Sequence, residues 1–126
     1  MLVTEWATEG GQQLKLSQVA IDSGGHCTHE VYRYVRDRVG QGVVAIKGSS
    51  KRNSPAVSKG NKVDVNWRGK VIKRGVTLYS LGTDTIKTTL FGRLRHNETT
   101  GGLNFGLAAD DEYYRQLTSE DRRAHV

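Results

Sequence analysis

The sequence predicts an α/β domain with a mixed sheet flanked by helices, and three observations favour this fold class. Short apolar runs rich in β-branched residues alternate with stretches whose apolar residues recur at helical spacing. The 126 residues suffice for one hydrophobic core and are too few for two ordinary domains. With 36% hydrophobic and 25% charged residues, the composition is that of a globular domain, and no run is long enough to span a membrane.

The first residues predict a lead-in followed by one buried strand. Residues 1–15 have no steady period and contain a Gly-Gly pair, so we expect an irregular segment there. Residues 16–21 are apolar and β-branched and run into Asp-Ser-Gly-Gly, which is typical of a short buried strand closed by a turn. Asp22 therefore lies at the carboxyl end of the predicted strand.

A helix and a second strand complete a βαβ unit. Thr28 is a suitable N-cap, and apolar residues then recur at helical spacing through Arg38, before two glycines end the helix. Residues 43–48 form the next apolar strand, which stops at Lys47 and a glycine. Such crossovers join parallel strands, so the carboxyl ends of both strands share an edge. We therefore expect Asp22 and Lys47 on the side of the sheet where open α/β proteins bind ligands.

The second half of the chain predicts a hairpin, further strands and two helices. Val63, Val65 and Trp67 alternate with polar residues before Arg68-Gly69, which is typical of a hairpin strand and its turn. In order we expect a mobile basic loop (49–61), a hairpin (63–72), a strand (76–81), a helix (83–96), a short strand (103–107), a helix (110–120) and a charged tail (121–126). Residues 16–120 are expected to form one domain.

The positive charge of the chain is concentrated in one segment. The formal net charge is +6, yet residues 47–74 alone carry nine cations against Asp64. A charge excess of this kind favours a surface for a polyanion, because each phosphate that is neutralised releases counterions. A solvated loop is the alternative interpretation. The cations are Lys47, Lys51, Arg52, Lys59, Lys62, Arg68, Lys70, Lys73 and Arg74.

Two carboxylates are candidates for metal chemistry. An Asp at the carboxyl end of a central strand, such as Asp22, can hold a magnesium or manganese ion beside a phosphodiester. Asp84 follows the 76–81 strand and is a second candidate if that strand is also parallel. Each has a structural alternative: Asp22 can accept hydrogen bonds from the following Gly24 and Gly25 amides, and Asp84 can cap or complement a helix.

Other chemistry has less support. Residues 18–22 look like a Walker B strand, but no phosphate-cradling Gly-x-x-x-x-Gly-Lys-[Ser/Thr] loop accompanies them, which argues against an ATPase. His26, Cys27 and His29 lie within four residues, but a structural zinc site needs four ligands, usually as two spaced pairs. The only cysteine has no identifiable third group for nucleophilic catalysis, and it agrees with a reducing compartment.

Four blocks of the chain, in order, resemble a known family. They are "VAIDSGGHCTHEVYRYVRDR", "VVAIKGSS", "LYSLGTDTIKTTLFGRL" and "EYYRQLTSE". Together they are similar to the nuclease part of the large terminase subunits of lambda-like tailed phages, over most of residues 16–120. Those proteins cut and package concatemeric DNA, so the resemblance implies a phage or prophage origin and the cytoplasm of the bacterial host.

The resemblance implies a ribonuclease H-like fold and a metal-dependent endonuclease acting on double-stranded DNA. Asp22 matches a family acid at the metal site, and Asp84 and Lys87 match the Gly-Thr-Asp-x-x-Lys block. We therefore take Asp22 and Asp84 as catalytic candidates, Asp22 as the metal ligand, and Lys87 as a further DNA contact. The implied cofactor is Mg or Mn, and the implied partners of the complete protein are the small terminase subunit and the portal.

The sequence also departs from the family. A first metal-binding Asp is expected on a strand ahead of residue 1, and another acid is expected in a later Asn-Glu-Ala-Leu-Asp type helix, so we expect an incomplete nuclease domain without the ATPase half. With one certain acid, the chain alone is expected to cut DNA poorly and to be prone to self-association. The alternatives are a catalytically silent DNA-binding or assembly remnant of a prophage, and an unrelated α/β domain with a solvated basic loop.

Overall fold

The structure is a computed structural model that describes residues 4–96 and 101–119. The chain divides into two compact units, Met1–Thr88 and Thr89–Val126, and each is described by itself. The elements are β1 (Glu5–Ala7), β2 (Gln13–Lys15), β3 (Val19–Asp22), α1 (Thr28–Arg36), β4 (Val43–Ser49), β5 (Asn61–Trp67), β6 (Lys70–Gly82), α2 (Thr83–Leu94) and α3 (Asp111–Leu117).

A mixed four-stranded sheet in the order β3-β4-β6-β5 organises the first unit, as predicted for an α/β fold. The strands β3, β4 and β6 are parallel, while β5 is antiparallel to β6. Asp22 pairs with Ile46 at the end of β3, and Ser49 pairs with Gly82 at the ends of β4 and β6. The three carboxyl ends therefore share one edge of the sheet, which confirms the predicted βαβ geometry.

Helix α1 covers one face of this sheet and forms the core with it. Its inward residues Tyr32 and Val35 recur at helical spacing and are buried. They belong to one apolar cluster with Ala45 of β4, Val65 of β5 and Val76 of β6. Because these five side chains come from four elements, burial of their apolar surface fixes the helix and the three strands together.

An irregularity, the bend, interrupts the β5–β6 hairpin between its two ends. Its turn places Arg68 and Gly69 at φ 49° and 75°, as a two-residue turn of type I′ requires. The register shifts between Val63 and Val65, and Arg74 on the opposite strand has φ 50°. The predicted hairpin is confirmed, but β6 continues through it as one strand instead of restarting at Val76.

Asp64 holds this bend in place. Its Oδ1 accepts a hydrogen bond from the Arg74 backbone N–H at 2.8 Å, and its Oδ2 accepts one from Lys73 Nζ at 2.9 Å. The Arg74 N–H, followed by the Lys73 ammonium, holds the pKa of the Asp64 carboxyl below its ordinary value. The carboxylate therefore stabilises the positive φ of Arg74, a backbone conformation that residues other than glycine rarely adopt.

The hairpin arm, residues 65–72, packs against α1. The Asn66 backbone N–H donates to His29 Nδ1 at 3.1 Å in the first turn of α1. At the other end of the helix, Arg36 Nη1 donates to the Gly75 carbonyl at 2.9 Å. Both ends of α1 are thus tied to the hairpin, and His29 has a structural role through its Nδ1 atom.

Three predictions about local structure are wrong. The lead-in is not irregular, because β1 and β2 pair in an antiparallel ribbon with Glu5 opposite Lys15. Helix α1 begins after Cys27 and ends at Arg36, and the Thr28 hydroxyl does not cap it. Residues 103–107 form no strand, since they pair with no other segment of the described chain.

In the second unit, the predicted last helix is confirmed as α3. Asp110 is its N-cap and accepts a hydrogen bond from the Tyr113 N–H at 2.8 Å. The rings of Phe105, Tyr113 and Tyr114 meet edge to face at centroid distances of 5.2 to 5.9 Å. The charged tail predicted at 121–126 lies outside the described residues.

Within the residues that the structure describes, no helix has both the length and the apolar character that a bilayer-spanning segment needs.

Candidate metal and nucleic-acid site

Asp22 stands at the carboxyl end of β3 and is exposed to solvent. Its Oδ1 accepts a hydrogen bond from the Gly24 N–H at 2.9 Å, which is the turn interaction expected of an Asp before two glycines. Its Oδ2 has no hydrogen-bond partner among the described residues. The turn interaction therefore occupies one oxygen and orients the carboxylate, and the second oxygen is available to a ligand.

The loop after Asp22 is anchored on both sides. Ser23 is 1% exposed, and both its N–H and its hydroxyl lie 2.9 Å from the Ile46 carbonyl of β4. The Thr28 hydroxyl lies 2.8 Å from the Ser23 carbonyl and 3.0 Å from that of Gly25. Because the loop is bonded to a central strand and to the start of α1, the position of Asp22 is fixed by its neighbours.

A second loop, the edge strap (residues 49–58), closes the same edge above β4 and β6. The Gly82 N–H donates to the carbonyls of Pro55 and Ala56, each at 3.1 Å. The Thr83 hydroxyl donates to the Ser49 carbonyl at 3.0 Å, and Ser58 bonds to Ser80 through both its N–H and its hydroxyl. The segment is irregular as predicted, but these bonds argue against the mobile loop that its polar composition suggests.

Gly82 is required where the strap crosses β6. A Cβ at this position would lie 2.4 Å from the carbonyl oxygens of both Ser54 and Pro55, closer than such atoms ever approach. The Thr85 hydroxyl also donates to the Ser54 carbonyl at 2.6 Å. The strap is therefore packed backbone to backbone against the end of β6.

Asp84 lies on the same edge as Asp22 but not beside it. It stands in the first turn of α2, just after β6, and that strand is parallel as its candidacy required. Because β4 lies between β3 and β6, the two strands that lead to these acids are about 10 Å apart. Within residues 4–96 and 101–119, no three His, Cys, Asp or Glu side chains form a group that could hold a metal ion.

The predicted basic residues fall into separate places. Lys47 on β4, Lys51 and Arg52 in the strap, and Lys87 on α2 are exposed at the carboxyl edge or in the elements that follow it. Lys59 and Lys62 precede or begin β5. The others, Arg68, Lys70, Lys73 and Arg74, lie in the hairpin, where Lys73 is paired with Asp64. The segment is thus not one continuous patch.

Sequence reasoning missed the contribution of α1 to this distribution. The guanidinium of Arg33 stacks over the Trp67 ring, with its Cζ 4.3 Å from the ring centroid. Arg68 Cζ lies 5.7 Å from the same ring. Helical spacing gives Arg33 an exposed position, but no pattern in the sequence links it to a tryptophan 34 positions later.

Comparison with known proteins identifies the family. The model of the family described as "Terminase large subunit gpA, endonuclease domain" matches residues 1–125. No curated protein matches the chain, and no solved structure does. The match extends beyond the four blocks that first indicated the resemblance, and covers β1, β2 and the hairpin arm as well. The chain therefore belongs to the family of terminase large subunit gpA endonuclease domains.

Proposed function

We propose that the carboxyl edge of this sheet binds double-stranded phage DNA and that Asp22 holds a divalent metal ion against the phosphodiester to be cut. One observation carries the proposal. The Asp22 carboxylate is oriented through Oδ1 by the Gly24 N–H, while Oδ2 has no partner in the described chain and lies at the ligand-binding edge of a parallel sheet.

The donor set fits one ion of the hard, oxygen-preferring kind. Magnesium commonly binds through one or two carboxylates, with water and substrate phosphates completing its shell. When bound, such an ion activates water and neutralises charge on the phosphate. Asp22 supplies one carboxylate oxygen at a fixed position, and within the described residues it belongs to no group of three or more His, Cys, Asp or Glu side chains that could hold the ion.

The cations of the carboxyl edge would bind the phosphates of the DNA backbone. Lys47 follows Ile46, the residue that pairs with Asp22, and Lys51 lies in the strap that closes the same edge. The Lys51 N–H is bonded to Ser49 Oγ at 3.2 Å, so the start of the strap is ordered locally. Exposed ammonium groups next to a fixed carboxylate favour a phosphate contact without base reading, and binding should weaken steeply with salt.

The finer assignments extend the same proposal. We propose that the parallel β3-β4-β6 core is part of a ribonuclease H-like sheet, and that the active particle includes the small terminase subunit and the portal. The family match supports an endonuclease domain of a DNA-packaging enzyme. Because two-metal chemistry needs more acids than this edge offers, we expect the isolated chain to cut DNA slowly, if at all.

The test measures manganese binding in the presence of a 30-base-pair duplex. The electron paramagnetic resonance signal of the free ion reports how much manganese remains unbound. Asp22→Asn should remove the bound manganese, because the neutral amide is a poorer ligand than the carboxylate. Glu9→Gln, which changes an exposed acid in the β1–β2 turn, is the matched control.

Plasmid cleavage by the same variants separates the two candidate functions. Slow manganese-dependent nicking that is lost in Asp22→Asn supports the endonuclease. Salt-sensitive DNA binding that is indifferent both to metal and to Asp22→Asn would instead support the silent binding module and refute the role of Asp22.

A further inference from the structure

We infer that α1 and the hairpin arm form a second phosphate-binding surface, the arginine platform, which consists of Arg33, Trp67, Arg68 and Lys70. It would contact the backbone of the duplex whose phosphodiester reaches Asp22. The inference rests on the proposed function of the carboxyl edge and adds a site on other elements, α1 and the hairpin arm. Of its three cations, Arg68 and Lys70 belong to the basic segment that the sequence indicates, and Arg33 does not.

Arg33 is held in a form suited to a phosphate. Its guanidinium stacks over the half-buried Trp67 ring, and its Nε lies 3.7 Å from Asp37 Oδ2. Its two Nη groups have no hydrogen-bond partner among the described residues. A guanidinium above the ring keeps its N–H groups, which lie in the guanidinium plane, free to donate in pairs to a phosphate. Part of the entropy cost of ordering the side chain is met before binding.

The neighbouring cations converge on the same ring. Arg68 at the hairpin turn lies 5.7 Å from the Trp67 centroid, and Lys70 is the cross-strand partner of Trp67. Both side chains are exposed. Because the Arg33 guanidinium covers a face of the Trp67 indole, an unpaired base cannot stack on that face. The site therefore favours a backbone phosphate over a stacked nucleotide.

The platform is close to Asp22 through a short series of contacts. The Asn66 N–H beside Trp67 bonds to His29, and the adjacent Thr28 bonds to the carbonyl of Ser23, the residue after Asp22. Only the first turn of α1 therefore separates the hairpin arm from the Asp22 loop. One turn of B-DNA spans about 34 to 36 Å, so both sites fit on one turn of a duplex.

Other arginines of the same region are engaged differently. Arg36 donates to the Gly75 carbonyl and so connects α1 to the hairpin. Arg38 stacks on Tyr34 at 3.6 Å and donates to the Tyr34 carbonyl at 3.2 Å. Arg38 is half-buried and lies just beyond the end of α1, and its side chain contacts Tyr34 of that helix. As a stacked arginine of the same charge that is not bonded to the hairpin, it is the control for Arg33.

The experiment measures binding of a 30-base-pair duplex by fluorescence anisotropy across a range of salt concentrations, with EDTA present so that no metal contributes. Arg33→Gln should weaken binding roughly fivefold to tenfold and make the salt dependence shallower by about one phosphate contact. Arg38→Gln should leave both quantities unchanged. Arg33→Lys should restore the salt dependence but not the full affinity, since an ammonium cannot bind in the planar, bidentate manner.

Two results would overturn the inference. If Arg33→Gln binds like the wild type while Lys47→Gln is weakened, the platform is wrong and the proposed function of the edge stands. If a poly-glutamate peptide binds more tightly than the duplex and in an Arg33-dependent way, the platform is a protein contact. Thermal unfolding of each variant separates lost binding from lost folding, and Trp67→Leu gives a second variant whose affinity should also fall.

Discussion

The Asp22 loop and the hairpin arm both present charged groups, yet they are held by bonds of very different range. The loop combines bonds between close neighbours, Asp22 to Gly24 two residues apart and Thr28 to Ser23 five apart, with bonds from Ser23 to Ile46, which is 23 residues away. The arm depends on a contact between Asn66 and His29, and on one between Arg36 and Gly75 in β6 just after the arm; these pairs are 37 and 39 residues apart.

The difference shows how each region depends on the rest of the fold. Closing a short loop costs little conformational entropy, so the Asp22 turn can form as soon as β3 and β4 pair. The arm can take its position only when α1, β5 and β6 are all in place, because its bonds join all three. The position of the arm therefore depends on the core, whereas the loop geometry depends on it less.

The largest effect is expected at the edge strap. Gly82→Ala places a Cβ 2.4 Å from two backbone carbonyl oxygens, so the strap must move, and we expect a loss of about 2 to 3 kcal/mol in the free energy of unfolding. Urea denaturation measures it. Gly25→Ala, where a Cβ meets nothing within 4 Å, is the control, and equal midpoints for the two variants would contradict the crossing described at Gly82.

A smaller loss of stability is expected when the apolar core that packs against the arm is truncated. Val65 is fully buried between α1 and the hairpin, so Val65→Ala removes apolar burial and leaves a cavity, at a cost of about 2 kcal/mol. Val71→Ala, on the same arm but 54% exposed, should change stability by less than about 0.5 kcal/mol. If Val65→Ala also weakens DNA binding, the arm depends on the core as argued.

The smallest effect is the change of stability with pH that Asp64 causes at the bend. Because the pKa of Asp64 is lowered from 3.8 in the folded chain, its contribution to stability is complete above that value and is lost as the pH falls through the lowered pKa. The wild type should therefore lose more stability than Asp64→Asn between about pH 4 and pH 2. Urea midpoints at several pH values measure this difference.

The Lys73→Met variant separates the two causes of the lowered pKa of Asp64 in the same measurement. The Arg74 backbone N–H is the larger cause of the lowered pKa of Asp64, and the Lys73 ammonium is the next. The Lys73→Met variant should therefore keep most of the acid dependence of the wild type. If it behaves like Asp64→Asn, the ammonium and not the bend controls the carboxylate.

The carboxyl edge of the sheet could be predicted largely from short-range sequence patterns. The apolar runs and the crossover rule correctly gave the parallel carboxyl ends of β3 and β4, while the direction of β6 was left open. Asp-Ser-Gly-Gly suggested, as one of two alternatives, the turn bond that Asp22 makes. The strap was not predictable in the same way, because its bonds from Gly82 to Pro55 and Ala56 join polar backbone that has no sequence period. The wrongly predicted 103–107 strand shows the converse, since an apolar run forms no strand without a partner to pair with.

The arm shows why the rest of the site was missed. Charge counting found Arg68 and Lys70 but gave no reason to add Arg33, which lies outside the basic segment. The link runs through Trp67 and exists only after the bend at Asp64 brings the arm onto α1. A sequence pattern records periodicity along one element, whereas this contact depends on how two elements pack.

The stacking of Arg33 on Trp67 also gives the protein an internal optical signal. The chain has two tryptophans, and Trp6 lies in the β1–β2 ribbon at 46% exposure. Replacing Trp6 with phenylalanine leaves Trp67 as the only indole, with a guanidinium against its face. Its emission then reports, without any label, whether that guanidinium stays on the ring or turns away from it when a polyanion is added.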